Sequence, residues 1–173
     1  KELPVLRQSD SSWYLREERG GWILGPYEEG APARFADGVP DWFEKDLFEG
    51  DLERLVPHVE TCMHRVPSFE NGGIKQIVNG PISYAPDGNP MVGPAFGIPN
   101  MWISEAHSFG VTAAGGAGWQ LANWIVDGEP TVDMIGVDPR RFGVVTKHFT
   151  KLKNEEAYSH VFVNHFPMEE RPA

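Results

Sequence analysis

The stretch that most constrains this chain is "MWISEAHSFGVTAAGGAGWQLANWIVDG", from Met101 to Gly128. An apolar strand-like run crosses a glycine-containing bend and enters a helical pattern that closes on Asp127-Gly128, with glycine where a C-cap wants it. A strand, a tight turn and a helix in that order present a helix N-terminus to an anion or an electron-rich edge. The dinucleotide fingerprint G-x-G-x-x-G is not what stands here. Gly116-Ala117-Gly118 is followed by Trp119-Gln120-Leu121, so the third glycine is missing. Gly115, Gly116 and Gly118 read first as small residues that let the helix press against a sheet. The bend before them is a separate matter. Ser108, Phe109, Gly110, Val111 and Thr112 fall at the helix entrance, where unpaired N–H groups point outward. Gly110 lets a flat ring approach the backbone.

The regions around this stretch define the fold class as mixed α and β. Residues 3–28 read as a meander of three short strands, "LPVLR", "SWYLREE" and "GWILGPYE", with turn chemistry at "QSDS" and at Arg19-Gly20-Gly21. Tyr14 and Trp22 then fall in neighbouring strands. Alternation puts Trp13, Leu15 and Glu17 on one face of the second strand and Ser12, Tyr14 and Arg16 on the other. Residues 29–50 read as a surface loop pinned to the body by Phe35, Trp42, Phe43 and Phe48. Residues 51–66 predict a helix capped by Asp51, with Leu52, Leu55, Val56, Val59, Met63 and Val66 on its apolar face. Pro57 predicts a kink or a later start. Two strands are expected around Asn79-Gly80-Pro81, a tight turn at Pro86-Asp87-Gly88-Asn89, and one more strand in "GIPNMWISEA".

Fifteen Lys and Arg against twenty-five Asp and Glu give a net charge of -10, with no basic stripe, so nucleic acid is not an expected partner. No apolar run approaches the roughly 20 residues of a membrane span. One cysteine, Cys62, leaves no internal disulfide and fits a reduced, soluble, intracellular protein of the cytoplasm or mitochondrial matrix. The histidines offer no metal site: His58 and His64, and His160 and His165, are not at one-face helical spacing. Carboxylate pairs such as Glu17-Glu18 read as solvated faces. The first residue is Lys1, and the chain reads as a piece of a longer protein or as one chain of a processed assembly.

Four stretches in one order, "ELPVLRQSDSSWYLREERGGWILGPYE", "IVNGPISYAPDGNPMVGP", "HSFGVTAAGGAGWQLANWIVDGEP" and "VDPRRFG", resemble the dimethylglycine and sarcosine dehydrogenase family of flavoprotein amine oxidoreductases. The resemblance implies part of a D-amino-acid-oxidase-like fold. Residues 1–80 would end the antiparallel substrate-binding sheet with one helix. Residues 81–128 would return into the FAD-binding domain. Residues 129–173 would wrap the body and lead toward a folate-binding domain. It implies FAD as cofactor, in that family bonded covalently to a histidine that lies outside this chain. It also implies a missing N-terminal FAD-binding half, on the same gene product or a separate chain, that holds the pyrophosphate, a small N-methyl amine as substrate, and tetrahydrofolate as a carbon acceptor in longer members. Carried over position by position, the flavin-contacting turn maps onto Ala106, His107, Ser108, Phe109, Gly110, Val111 and Thr112. Gly80, Pro81 and Ser83 are further contacts, and Tyr14 faces the substrate amine as the catalytic residue. Related oxidases carry a lysine where Thr112 stands, so the usual carboxylate partner is missing. Tyr14 also reads as a core tyrosine of the sheet. A non-catalytic chain, such as a regulatory subunit of pyruvate dehydrogenase phosphatase, resembles the same family and stands as the second reading.

Overall fold

The computed structural model describes residues 3–144 and 146–161, which divide into two compact units. The first holds the described residues through Pro81 together with those from Tyr158 onward, and the second is Ile82–Ala157.

In the first unit, β1 (Leu6–Gln8), β2 (Trp13–Glu18) and β3 (Gly21–Pro26) form an antiparallel meander in chain order. Arg19 and Gly20 bridge the last two strands with positive φ at both positions, +50° and +75°. That is the handedness a two-residue hairpin turn needs to match strand twist. The period-2 pattern holds. Trp13 and Leu15 are 0% and 2% exposed, while Tyr14 and Arg16 are half-buried on the opposite face.

Helix α1 (Leu52–Arg65) covers the Trp13 face. Asp51 caps it by accepting from the Arg54 N–H at 3.2 Å. Cys62 is fully buried against Trp13 and Leu15, with Leu24, Val66 and Phe69 packed around them. Trp13 Nε1 donates to Thr61 Oγ1 at 3.0 Å, so the largest core side chain has its one polar atom satisfied. Two expectations are corrected here. Of the kink or later start expected at Pro57, the later start is excluded: the helix begins at Leu52 on the Asp51 cap and runs through the proline. Its buried side is also rotated: Leu52 and Val56 are exposed, and Cys62 takes the centre.

The 29–50 segment is irregular, as its glycines and prolines predict. Its aromatics pack on one another: Phe43 stacks on Phe48 at 5.8 Å, and Phe35 lies 4.8 Å from Phe43. Trp42 edges onto Phe43 yet stays 70% exposed, so it does not pin the loop to the body. The two strands expected around Asn79-Gly80-Pro81 are absent. One isolated bridge, Phe48 with Asn79, stands in their place. Pro81 has no N–H to continue a ladder, and Gly72, Gly73 and Gly80 add no side chains to pack.

In the second unit, β4 (Met91–Pro94) pairs antiparallel with β5 (Trp102–Glu105). Helix α2 (Gly110–Asp127) ends on Gly128 in the left-handed conformation, φ +87°, whose N–H returns to the Trp124 carbonyl. Helix α3 (Lys147–Ser159) follows, its last two residues, Tyr158 and Ser159, counting with the first unit. The turn before β4 is held from a distance. Gly88 N–H bonds the Ala85 carbonyl at 2.9 Å, and the Arg141 guanidinium grips both oxygens of Asp87 at 2.8 and 3.0 Å. Burial alone would raise the Asp87 carboxyl, but the Arg141 guanidinium and the Asn89 N–H outweigh it and hold it below its ordinary value. In the "VDPRRFG" stretch, Asp138 accepts from the Arg140 N–H and caps a single 3₁₀ turn, Pro139–Phe142. That turn aims Arg141 at "APDG", so two motifs 54 residues apart are one structural clamp.

Candidate functional site

Residues 106–112 form one continuous turn into α2. Ala106 is buried and held at φ +58°, a strained conformation for a residue with a Cβ. Its carbonyl accepts from the Ser108 N–H at 3.1 Å. Phe109 is the N-cap and offers no side-chain acceptor, while its carbonyl receives the Thr112 and Ala113 N–H groups. The first amides of α2, at Gly110 and Val111, therefore have no capping side chain. Phe109 is half exposed and Val111 fully exposed. A Cβ on Gly110 would meet only the Cβ of His107, at an ordinary 3.5 Å. The chain itself thus does not require glycine there.

His107 Nε2 shares a 3.0 Å hydrogen bond with Ser104 Oγ, and its buried Nδ1 has no hydrogen-bonding partner among the described residues. Ser104 was not singled out in the sequence, although its position three residues before His107 at the end of β5 was a usable signal. Among the described residues, nothing lies within 4 Å of a Cβ on Gly115, Gly116 or Gly118, so none of them presses these glycines against a sheet. The helix meets the β4–β5 hairpin through Trp124, whose ring sits over Gly93 and edge-on to Trp102 at 6.2 Å.

Tyr14 belongs to the first unit. It pairs with Gly25 across β2 and β3, and its ring lies flat over that glycine: a methyl at position 25 would overlap Cζ, Cε1 and the hydroxyl oxygen. Gly25 is a partner that sequence reading missed, since only the register reveals it. Tyr27 lies on the same face. Burial pushes its hydroxyl pKa up, neighbouring Tyr14 adds to this, and the Arg7 guanidinium eases it. Tyr158 packs on Tyr27 with ring centres 5.2 Å apart and donates to Glu28 Oε2 at 2.7 Å, while Arg54 pairs with the other Glu28 oxygen.

Gly80, half-buried against Leu47, and Pro81 close the first unit, whereas exposed Ser83 opens the second. Among the described residues, no group of three or more His, Cys, Asp or Glu could hold a metal ion. No helix among them is long and apolar enough to cross a membrane.

The family described as FAD dependent oxidoreductase matches residues 1–124, and the FAD dependent oxidoreductase central domain matches 127–173. The chain belongs to the FAD dependent oxidoreductase family. It is 45% identical to dimethylglycine dehydrogenase, mitochondrial, of Rattus norvegicus over 99% of its own length and 21% of that protein's. It is 36% identical to sarcosine dehydrogenase, mitochondrial, of Homo sapiens over 98% of its length and 19% of the relative's. The regulatory subunit of pyruvate dehydrogenase phosphatase, mitochondrial, of Mus musculus is 28% identical over 87% of this chain. The chain therefore spans about a fifth of the length of the dehydrogenases it matches.

The turn at 106–112 fits the cofactor of this family. An isoalloxazine has a flat face and an electron-rich carbonyl edge. The turn offers uncapped amides at the positive end of a helix, an exposed approach at Val111, and no side chain at Gly110. Ala106, His107, Ser108, Phe109, Gly110, Val111 and Thr112 are the residues that would hold it.

Proposed function

We propose that this chain is part of a mitochondrial enzyme that oxidatively removes an N-methyl group from a small amino acid of the dimethylglycine or sarcosine kind. The observation that carries the reading is the 45% identity to a dimethylglycine dehydrogenase along almost the whole chain. FAD, when bound, supplies the two-electron acceptor, and the protein supplies orientation and electrostatics. The rest of the polypeptide contributes the pyrophosphate-binding turn and the histidine that holds the flavin covalently. The tail beyond Val161, which lies outside the described residues, leads toward a folate domain where tetrahydrofolate takes the carbon.

In this reading Ala106–Thr112 would hold the flavin, and the uncapped amides at the start of α2 would favour negative charge placed beside them. Gly80, Pro81 and Ser83 add contacts. Tyr14 acts on the substrate nitrogen. An ammonium cannot give up hydride, so the amine must be neutral. The Tyr14 oxygen takes the ammonium proton only as the phenolate, becoming the phenol; as a phenol it instead donates to the neutral nitrogen and holds it in place.

The deciding experiment is anaerobic titration of the full-length protein. Dimethylglycine or sarcosine should bleach its flavin absorbance. A protein that carries no flavin, or whose flavin neither amine bleaches, would instead fit the regulatory reading. Tyr14→Phe keeps the ring over Gly25 and removes only the hydroxyl. Its flavin reduction should slow by about tenfold or more with flavin content unchanged, as general acid–base help is worth about 10²–10⁴-fold. Reduction at the parental rate at every pH would leave Tyr14 a structural residue of the sheet.

A further inference from the structure

The polar face of the meander is closed at one end by the end of α3. The Tyr27 N–H donates to the Ser12 carbonyl at 2.8 Å and so continues the pairing of β2 with β3. Tyr14 faces Gly25 in that pairing, which puts Tyr27 on the diagonal from Tyr14. Diagonal neighbours are about 7–8 Å apart, within reach of aromatic side chains. Tyr14 acts electrostatically on the Tyr27 hydroxyl, as neighbouring phenols do. The end of α3 is set against this pair from several sides. The Tyr158 ring packs on Tyr27 with centres 5.2 Å apart. Its hydroxyl donates to Glu28 Oε2 at 2.7 Å, and Arg54 of α1 holds the other Glu28 oxygen. Ser12 Oγ donates to the Ser159 carbonyl at 3.4 Å, and both serines are buried. Arg7, opposite Tyr14 in the register of β1 and β2, donates to the Val161 carbonyl, also at 3.4 Å. Tyr158 is thus fixed at its ring and at its hydroxyl, the latter by a charge-assisted bond to an anion that is itself paired.

We propose that Tyr158, anchored by Glu28, positions Tyr27 as a wall that limits the size of the N-alkyl groups admitted beside Tyr14. This rests on the dehydrogenase reading above and deepens it into a size rule for the substrate amine. Tyr158 acts through Tyr27 and is a positioning residue. A ring that can swing aside discriminates poorly, because an extra methylene simply displaces it. A ring packed on a second, anchored ring has nowhere to go, and the methylene meets overlap that costs binding. Discrimination against one methylene by a well-packed pocket is worth about 10–200-fold. Without Tyr158, the Tyr27 ring regains its rotamers, the Ser12 end of the face opens to water, and room appears next to the reacting nitrogen.

The test uses the full-length, flavin-loaded protein and compares dimethylglycine with N,N-diethylglycine as anaerobic reductants. If dimethylglycine fails to bleach the parent's flavin, the proposed function falls, and this inference falls with it. With an active parent, diethylglycine should reduce the flavin with a second-order rate constant about tenfold or more below that of dimethylglycine. Tyr158→Ala should narrow that ratio about tenfold, the lower end of the discrimination a packed wall supplies. The half-saturating concentration of dimethylglycine should rise and that of diethylglycine fall, while flavin content and the flavin reduction potential stay parental. Tyr158→Phe keeps the ring on Tyr27 but releases Glu28, and should recover part of the parental ratio. If Tyr158→Ala does not fold, Tyr158→Leu carries the same comparison. A parent that uses both amines equally overturns the assignment. So does a flavin-loaded Tyr158 variant, without the ring, whose ratio equals the parent's; Tyr158 then only fastens the end of α3.

Discussion

In the meander, the apolar side chains of β2 find partners within the chain. Trp13 and Leu15 are hidden on one face of β2, and Cys62 of α1 fills the space beneath them. In α2, the apolar side chains divide. Trp124 and Leu121 turn inward, while Val111, Trp119, Ile125 and Val126 stay in solvent, Val111 completely. Val111, Gly115, Gly118, Ala122 and Ile125 recur at spacings of four and three, which is one face of a helix. A helix apolar on more than one face belongs in an interior, so α2 carries a second face suited to burial that nothing among the described residues covers. The first region shows how a finished core looks; the second shows an apolar helix face that no described residue covers.

The largest effect should come from breaking the finished region. Trp13→Ala removes the centre of the core and the hydrogen bond to Thr61. Truncations of this kind cost about 3–5 kcal/mol. The midpoint in guanidinium should fall accordingly. Cys62 gives a local readout: burial pushes its thiol up to about 11, so it should resist alkylation near neutral pH in the parent and react readily in Trp13→Ala. A parent thiol that alkylates at the rate of a free cysteine would show that this core is not closed.

The contrast also explains what the sequence made legible. Strand alternation found the buried and polar faces of β2, because Trp13, Leu15 and Tyr14 sit inside a complete three-stranded sheet. Asp51, Arg19-Gly20 and Gly128 were readable because caps and hairpin turns are local chemistry. The strands expected near Asn79 failed because an isolated bridge to Phe48 depends on a residue 31 positions earlier. The clamp between Arg141 and Asp87, the ring of Tyr14 over Gly25, and the pairing of Arg7 with Tyr14 are all products of register or tertiary contact. The turn at 106–112 was visible as a motif, but its features as a site, the strained Ala106 and the Ser104–His107 bond, were not.

A smaller effect should come from the polar face of the same meander. Gly25→Ala places a methyl where the Tyr14 ring lies, so the ring must leave its seat. Overpacking of this kind costs about 1–3 kcal/mol. If Tyr14 serves the substrate, flavin reduction in the full-length enzyme should slow as it does in Tyr14→Phe, with the Trp13 core still closed by the Cys62 test. A variant that loses stability but reduces its flavin at the parental rate would separate the ring's position from the chemistry.

The smallest effect is the one whose sign decides the contrast. Gly115 lies within α2, and a Cβ there meets nothing within 4 Å. In the 173-residue chain alone, Gly115→Ala should therefore act only through helix propensity, stabilising it by up to about 1 kcal/mol. In the full-length protein the same methyl should behave differently. If a backbone element of the remaining polypeptide rests on the Gly115 and Gly118 side of α2, the added atom forces the two apart. The gain then becomes a loss, and flavin retention falls with it. Paired denaturation midpoints for the two lengths of protein measure this directly. A reversal of sign means that the glycines of α2 are a seam between this chain and the rest of the flavin-binding domain. Equal stabilisation in both means that the face stays open to water, and the small residues then answer to some other demand than packing.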